Sequence, residues 1–151
     1  MEIRQAKPED AALLTEIAFA AKRHWGYPEQ WIQDWKGVLT IRSELIANHE
    51  VFIAWVEGQA VGFYVLAGGA KRRSLEHFWV LPKAMGLGIG RALFSHAVQR
   101  AKALGVKAIE IESDPNAEKF YERMGARRVG ENVTELEGQP RRLPVLIYEC
   151  S

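Results

Sequence analysis

Phe78-Trp-Val-Leu-Pro-Lys-Ala-Met-Gly-Leu-Gly-Ile-Gly-Arg91 joins a strand to a helix through a turn with glycine at positions 86, 88 and 90. Upstream, Leu75 to Val80 reads as a strand. Downstream, Leu87 to Leu104 is helical: Leu93, Phe94, Ala97, Val98, Ala101 and Leu104 fall on one stripe, and Gly105 stands where the helix should stop. Glycines at alternate positions let the backbone turn sharply and approach a ligand with no Cβ in the way. A helix start adds unsatisfied N–H groups and the positive end of the dipole, which together suit a phosphate. A dinucleotide fingerprint is one reading, since Glu110 stands 20 residues beyond Gly90. Against it, the spacing is Gly-x-Gly-x-Gly, and five residues separate Val80 from Gly86. Glycines that serve only a tight turn are the third reading.

Working outward, residues 2–6 are expected to form a short strand ended by Pro8. Glu9 and Asp10 then open a helix carrying Leu13, Leu14, Ile17, Ala18 and Ala21. Residues 24–36 are rich in aromatics and broken by Gly26 and Pro28, and one or two helical turns are expected within 40–48. Val51–Val56 and Ala60–Leu66 read as strands joined by Glu57-Gly58-Gln59, a hairpin signature. After the central helix come a strand (Lys107–Glu112), a short helix (Pro115–Met124, stopped by Gly125), a strand near 126–130 and a last strand at 144–149. The order β-α-α-β-β-β-α-β-α-β-β predicts a mixed α/β domain.

The chain has 151 residues, of which 48% are hydrophobic and 26% charged, the balance of one soluble folded domain without internal repeats. Cys150 is the single cysteine, which excludes an internal disulfide and a cysteine-based zinc site. No apolar run approaches the ~18 residues of a membrane span, and the first residues lack the apolar stretch of a signal peptide, so a cytoplasmic protein is expected. A net charge of +1 argues against a nucleic-acid partner. His24, His49, His77 and His96 show no metal-ligand spacing, and no metal is expected.

The segment Val80-x-Pro82…Gly86-x-Gly88-x-Gly90-Arg91-Ala-Leu resembles the acyl-CoA-binding segment of the GNAT N-acetyltransferases. Asp114-Pro-Asn-Ala-Glu-Lys-Phe-Tyr-Glu-Arg-Met-Gly-Ala126 is similar to that family's Asn-x-x-Ala-x-x-Phe/Leu-Tyr-x-x-x-Gly-Phe segment. Three positions depart from the pattern: Met85 replaces Gln or Arg, Asp114 replaces Asn and Ala126 replaces Phe. The resemblance implies a GNAT-like mixed, mostly antiparallel sheet flanked by helices in a single domain, 1–151. Residues 1–50 would form a variable acceptor-side region and 51–151 the acyl-CoA-binding core.

It further implies an acetyl-CoA-dependent enzyme that moves an acetyl group directly to a primary amine of a small molecule or peptide. A catalytically idle acyl-CoA-binding module is the alternative. The amides of Gly86, Leu87, Gly88, Ile89, Gly90 and Arg91 would hold the pyrophosphate of coenzyme A, with Asn116 adding a polar contact. Phe78, Trp79 and Val80 would pair with the pantetheine arm. Tyr121 would be the acid for the leaving thiolate, the other reading being a core tyrosine beside Phe120. Glu76, alternating with Phe78 and Val80 on one strand face, is the favoured base, and Glu112 or water is the rival. Trp25, Tyr27 and Trp31 would wall an acceptor pocket suited to an apolar or aromatic amine, or to a cation held over a ring; a helix simply packed on the sheet is the other reading. Arg141-Arg142 offers a site for an acceptor carboxylate. Such domains also admit a homodimer, and neither nucleic acid nor membrane is expected as a partner.

Overall fold

A computed structural model describes residues 1–150. Seven strands form one sheet: β1 (Glu2–Gln5), β2 (Glu50–Val56), β3 (Gln59–Gly68), β4 (Arg72–Val80), β5 (Ala108–Glu112), β6 (Arg127–Leu136) and β7 (Gln139–Glu149). Their order is β1-β2-β3-β4-β5-β7-β6. The β1–β2, β2–β3, β5–β7 and β6–β7 pairs are antiparallel, and β4–β5 is parallel. The helices are α1 (Ala11–Arg23), α2 (Glu29–Asp34), α3 (Lys36–Leu39), α4 (Ser43–Asn48), α5 (Ile89–Ala103) and α6 (Glu118–Arg123). This is the mixed, mostly antiparallel α/β architecture expected. No helix among the described residues is long and apolar enough to cross a membrane.

The chain divides into two compact units, Met1–Leu66 with His77–Ser95, and Ala67–Glu76 with His96–Ser151. In the first, α1 buries Leu14, Ile17, Ala18 and Ala21, the stripe its sequence advertises. Thr15 ties it to the segment before α4, its Oγ1 accepting the Ile41 N–H at 2.9 Å. β3 is buried without a break from Ala60 to Ala67, as befits a central strand covered on both faces. Gly62 lets this strand close on its neighbour, for an added Cβ would lie 2.8 Å from the Trp79 carbonyl oxygen. In the second unit, Ala97, Ala101, Ile109, Ile111, Leu146 and Ile147 form the apolar interior.

Two features exceed the sequence reading. The aromatic segment 24–36 contains helices α2 and the start of α3, both too short to reveal a period. The last two strands are longer than expected and form a hairpin whose turn, Glu137-Gly138, holds both residues at positive φ, as Glu57-Gly58 does.

Candidate active site

The glycine turn follows β4 through one 3-10 turn at Pro82–Ala84. Gly86 and Gly88 have φ of +82° and +80°. An added Cβ at either would meet nothing within 4 Å, so the backbone conformation, not crowding, calls for glycine there. Ala84 and Ile89 are buried at the two ends of the turn, whereas Gly86, Leu87 and Gly88 lie exposed between them, and Arg91 is exposed on the first turn of α5. The turn therefore presents its backbone to solvent directly ahead of a fifteen-residue helix. Backbone N–H groups and the helix dipole converge there on one sign of potential, which fits a pyrophosphate.

β4 itself changes character along its length. It pairs with β5 only at Arg72–Ser74, opposite Ala108–Glu110, and the ladder ends there. Beyond it, Leu75 and His77 point inward, Glu76 is exposed, and Phe78, Trp79 and Val80 are half-buried. His77 stacks on Phe63, and its Nδ1 accepts the Trp79 indole N–H at 3.0 Å. Its neutral form therefore carries the proton on Nε2. Burial lowers its pKa from 6.5 to about 4, so the ring is neutral at physiological pH. His77 is a packed residue. Phe78 meets Phe94 of α5 edge-to-face at 6.3 Å.

In the second unit, Asp114 accepts the Asn116 backbone N–H at 2.8 Å and its side-chain amide at 2.9 Å. With Pro115 at the first helical position it makes the N-cap of the 3-10 turn that leads into α6. Arg141 lies 3.5 Å from the other Asp114 oxygen, and both side chains are largely buried. Tyr121 on α6 is buried beside Phe120, with ring centroids 5.3 Å apart. Burial first, and then the charge of Asp114, raise its phenol above the usual range. Tyr121 therefore keeps its proton at neutral pH. Glu112 accepts from the Asn132 amide at 2.6 Å. Arg142 pairs with Glu131. The two arginines considered for an acceptor carboxylate are thus engaged with acids of the chain itself. Glu110, the acid of the dinucleotide reading, lies 3.8 Å from Arg72.

The aromatic cluster of the first unit is assembled. Tyr27, Trp31 and Trp35 are in mutual ring contact at 5.1–6.2 Å, and Trp25 is 41% exposed beside His24. Sequence reasoning missed the residue at its centre. Lys22 is buried, with Nζ 4.4 Å from the Trp35 centroid, 5.0 Å from Tyr27 and 5.9 Å from Trp79. A desolvated ammonium over aromatic faces gains about 2 kcal/mol. The signal was present: Leu14, Ala18 and Lys22 are four apart, so the lysine lies on the buried stripe of α1.

The first unit thus holds the loop Gly86–Arg91, the strand end Phe78–Val80 and the tryptophan cluster; the second holds Glu76, Asn116 and Tyr121. A cavity of about 350 Å³ lined by Met124, Gly125, Arg127, Ile147, Tyr148 and Glu149 includes none of the predicted site residues. Among the described residues no three His, Cys, Asp or Glu side chains group as metal ligands.

A family model described as an acetyltransferase (GNAT) domain matches residues 26–139, more than half of the chain. The peptidyl-lysine N-acetyltransferase YiaC of Escherichia coli (strain K12) is 27% identical over 124 residues, covering 82% of this chain and 81% of that protein. The 5-NmdU N-acetyltransferase of Pseudomonas phage PaMx11 is 25% identical over 134 residues, covering 87% of this chain and 90% of the phage protein. Among solved structures, the PaiA N-acetyltransferase of Thermoplasma acidophilum in complex with coenzyme A superimposes with a TM-score of 0.77 at 20% identity, covering 98% of both chains. The glycine turn, the strand that leaves its ladder and the family match agree, and the chain belongs to the GNAT acetyltransferase family as an acetyl-CoA-dependent N-acetyltransferase.

Proposed function

We propose that the protein transfers an acetyl group from acetyl-CoA to a primary amine of a small molecule or peptide, directly and within one ternary complex. The observation that carries this reading is the exposed Gly86–Gly88 turn at the head of α5, following a strand whose ladder to β5 has ended. The backbone amides of Gly86, Leu87, Gly88, Ile89, Gly90 and Arg91 hold the pyrophosphate, and Asn116 adds a polar contact. The backbone of Phe78, Trp79 and Val80 aligns the pantetheine arm. When bound, acetyl-CoA supplies the activated acetyl thioester.

Glu76, exposed on its strand face, accepts the proton that the amine sheds as the C–N bond forms. Tyr121 donates its phenolic proton to the thiolate released as the C–S bond breaks. Burial and Asp114 keep that proton in place until it is needed. Trp25, Tyr27 and Trp31 wall the acceptor side. Support for direct transfer comes from Cys150, the single thiol: burial raises its pKa, leaving a poor nucleophile. The relatives named above carry the names of two different acceptors, peptidyl lysine and 5-NmdU, so they support N-acetyl transfer and leave the acceptor to experiment.

The test is thiol release from acetyl-CoA in the presence of a panel of primary amines, free and in peptides, with products identified by mass. Release that requires an amine and yields the acetylated amine is expected. Binding of acetyl-CoA with no turnover across the panel would instead favour an idle acyl-CoA-binding module.

A further inference from the structure

An aromatic wall of the kind formed by Tyr27, Trp31 and Trp35 invites two kinds of amine: one with an apolar or aromatic tail, or one with a second positive charge held over a ring. The chain has already placed a cation there. Lys22 leaves α1 on its buried stripe and puts Nζ 4.4 Å from the Trp35 ring, 5.0 Å from Tyr27 and 5.9 Å from Trp79. Trp79 is held from behind, its indole N–H on His77 Nδ1 at 3.0 Å, and Trp35 and Tyr27 are held edge-on at 5.1 Å. Three rings from two segments of the chain, 24–36 and β4, thus form one box, and its occupant is internal.

We propose that Lys22 determines acceptor specificity. By filling the Tyr27–Trp35–Trp79 box with the chain's own ammonium, it restricts the wall to amines with apolar or aromatic tails and turns away those with a second cationic group. Two cations cannot share the faces of the same rings. The incoming charge would lose the ring attraction and meet Coulomb repulsion at close range in a partly dry site. An uncharged tail loses nothing and gains contact with the outer faces of Trp31 and Tyr27, both half-exposed. The inference rests on Trp25, Tyr27 and Trp31 forming the acceptor wall.

The test pairs two primary amines on the same two-carbon spacer: phenylethylamine, and aminoethyl-trimethylammonium with its fixed positive charge. Each is titrated into the protein, and into Lys22→Met and Lys22→Arg, by indole fluorescence; each is then assayed for acetyl transfer. Met keeps the unbranched stem and removes the charge, whereas Arg keeps the charge. The wild-type protein and Lys22→Arg are expected to favour phenylethylamine about tenfold or more, and Lys22→Met to gain about tenfold for the quaternary amine. Equal affinity of the wild-type protein for the two amines overturns the proposal and needs no variant. No gain for the quaternary amine in a Lys22→Met protein with an unchanged circular dichroism spectrum also overturns it. A gain on binding in Lys22→Met, with no acetylation of either amine by any of the three proteins, would support the box and count against the transfer reading alone.

Discussion

In the proposed transfer, Tyr121 and Glu76 carry opposite halves of one proton inventory. Burial and Asp114 hold the Tyr121 proton at pH values where an ordinary phenol would begin to release it. Turnover should therefore show no alkaline loss from this residue near pH 10. Tyr121→Phe should lower kcat about a hundredfold with acetyl-CoA affinity little changed; undiminished turnover would remove Tyr121 from the acid role. Glu76→Gln should move the pH–rate profile to higher pH, because the amine must then lose its proton without help, and an unmoved profile would favour Glu112 or water. His77 makes a different prediction. Its folded pKa lies near 4, below the unfolded value of 6.5, so the folded state prefers the neutral ring. The stability that depends on neutral His77 is fully present above pH 6.5 and is lost as the pH falls toward 4, by about 3 kcal/mol in all. Denaturant unfolding across that window measures it, and His77→Gln, neutral and able to accept from Trp79, should flatten the dependence.

Elements position these side chains through close approaches. At Gly62 an added Cβ would sit 2.8 Å from the Trp79 carbonyl oxygen and 3.0 Å from Leu93 Cδ1, so Gly62→Ala must displace the end of β4 or the start of α5. A destabilisation of about 1–3 kcal/mol is expected, with weakened acetyl-CoA binding, checked by thermal melting and titration. An unchanged melting temperature together with unchanged affinity would show that β4 has room to spare. Strands β1 to β5, α1 and α5 were legible because each carries a long period or a clear turn. Helices α2 and α3 were not: Gly26 and Pro28 break the chain just ahead of α2, Gly37 lies inside α3, and six and four residues leave no period to read. The last hairpin escaped for the opposite reason. β6 is exposed on both faces over nearly its whole length, so no alternation of apolar and polar residues marks it. Its turn was legible all the same, since Glu137-Gly138-Gln139 repeats Glu57-Gly58-Gln59 and adopts the same positive φ pair.

At the scale of the whole molecule, the chemistry is divided between residues the sequence names and residues only the fold reveals. The glycine turn announces itself because the positive φ of Gly86 and Gly88 imposes a local glycine pattern, the one that the proposed phosphate cradle requires. Lys22 does not, because its partners Tyr27 and Trp35 meet Trp79 from a distant segment, and its proposed role exists only once they meet. Arg141 and Arg142, exposed candidates on paper, are engaged with Asp114 and Glu131. That the Gly86–Arg91 turn cradles the pyrophosphate of acetyl-CoA is the proposal on which the rest depends, and calorimetric titration of the purified protein with acetyl-CoA, beside coenzyme A and NAD, is its sharpest test. Micromolar binding of acetyl-CoA and coenzyme A is expected, with NAD silent. Absence of acetyl-CoA binding, or binding of NAD in its place, would contradict it.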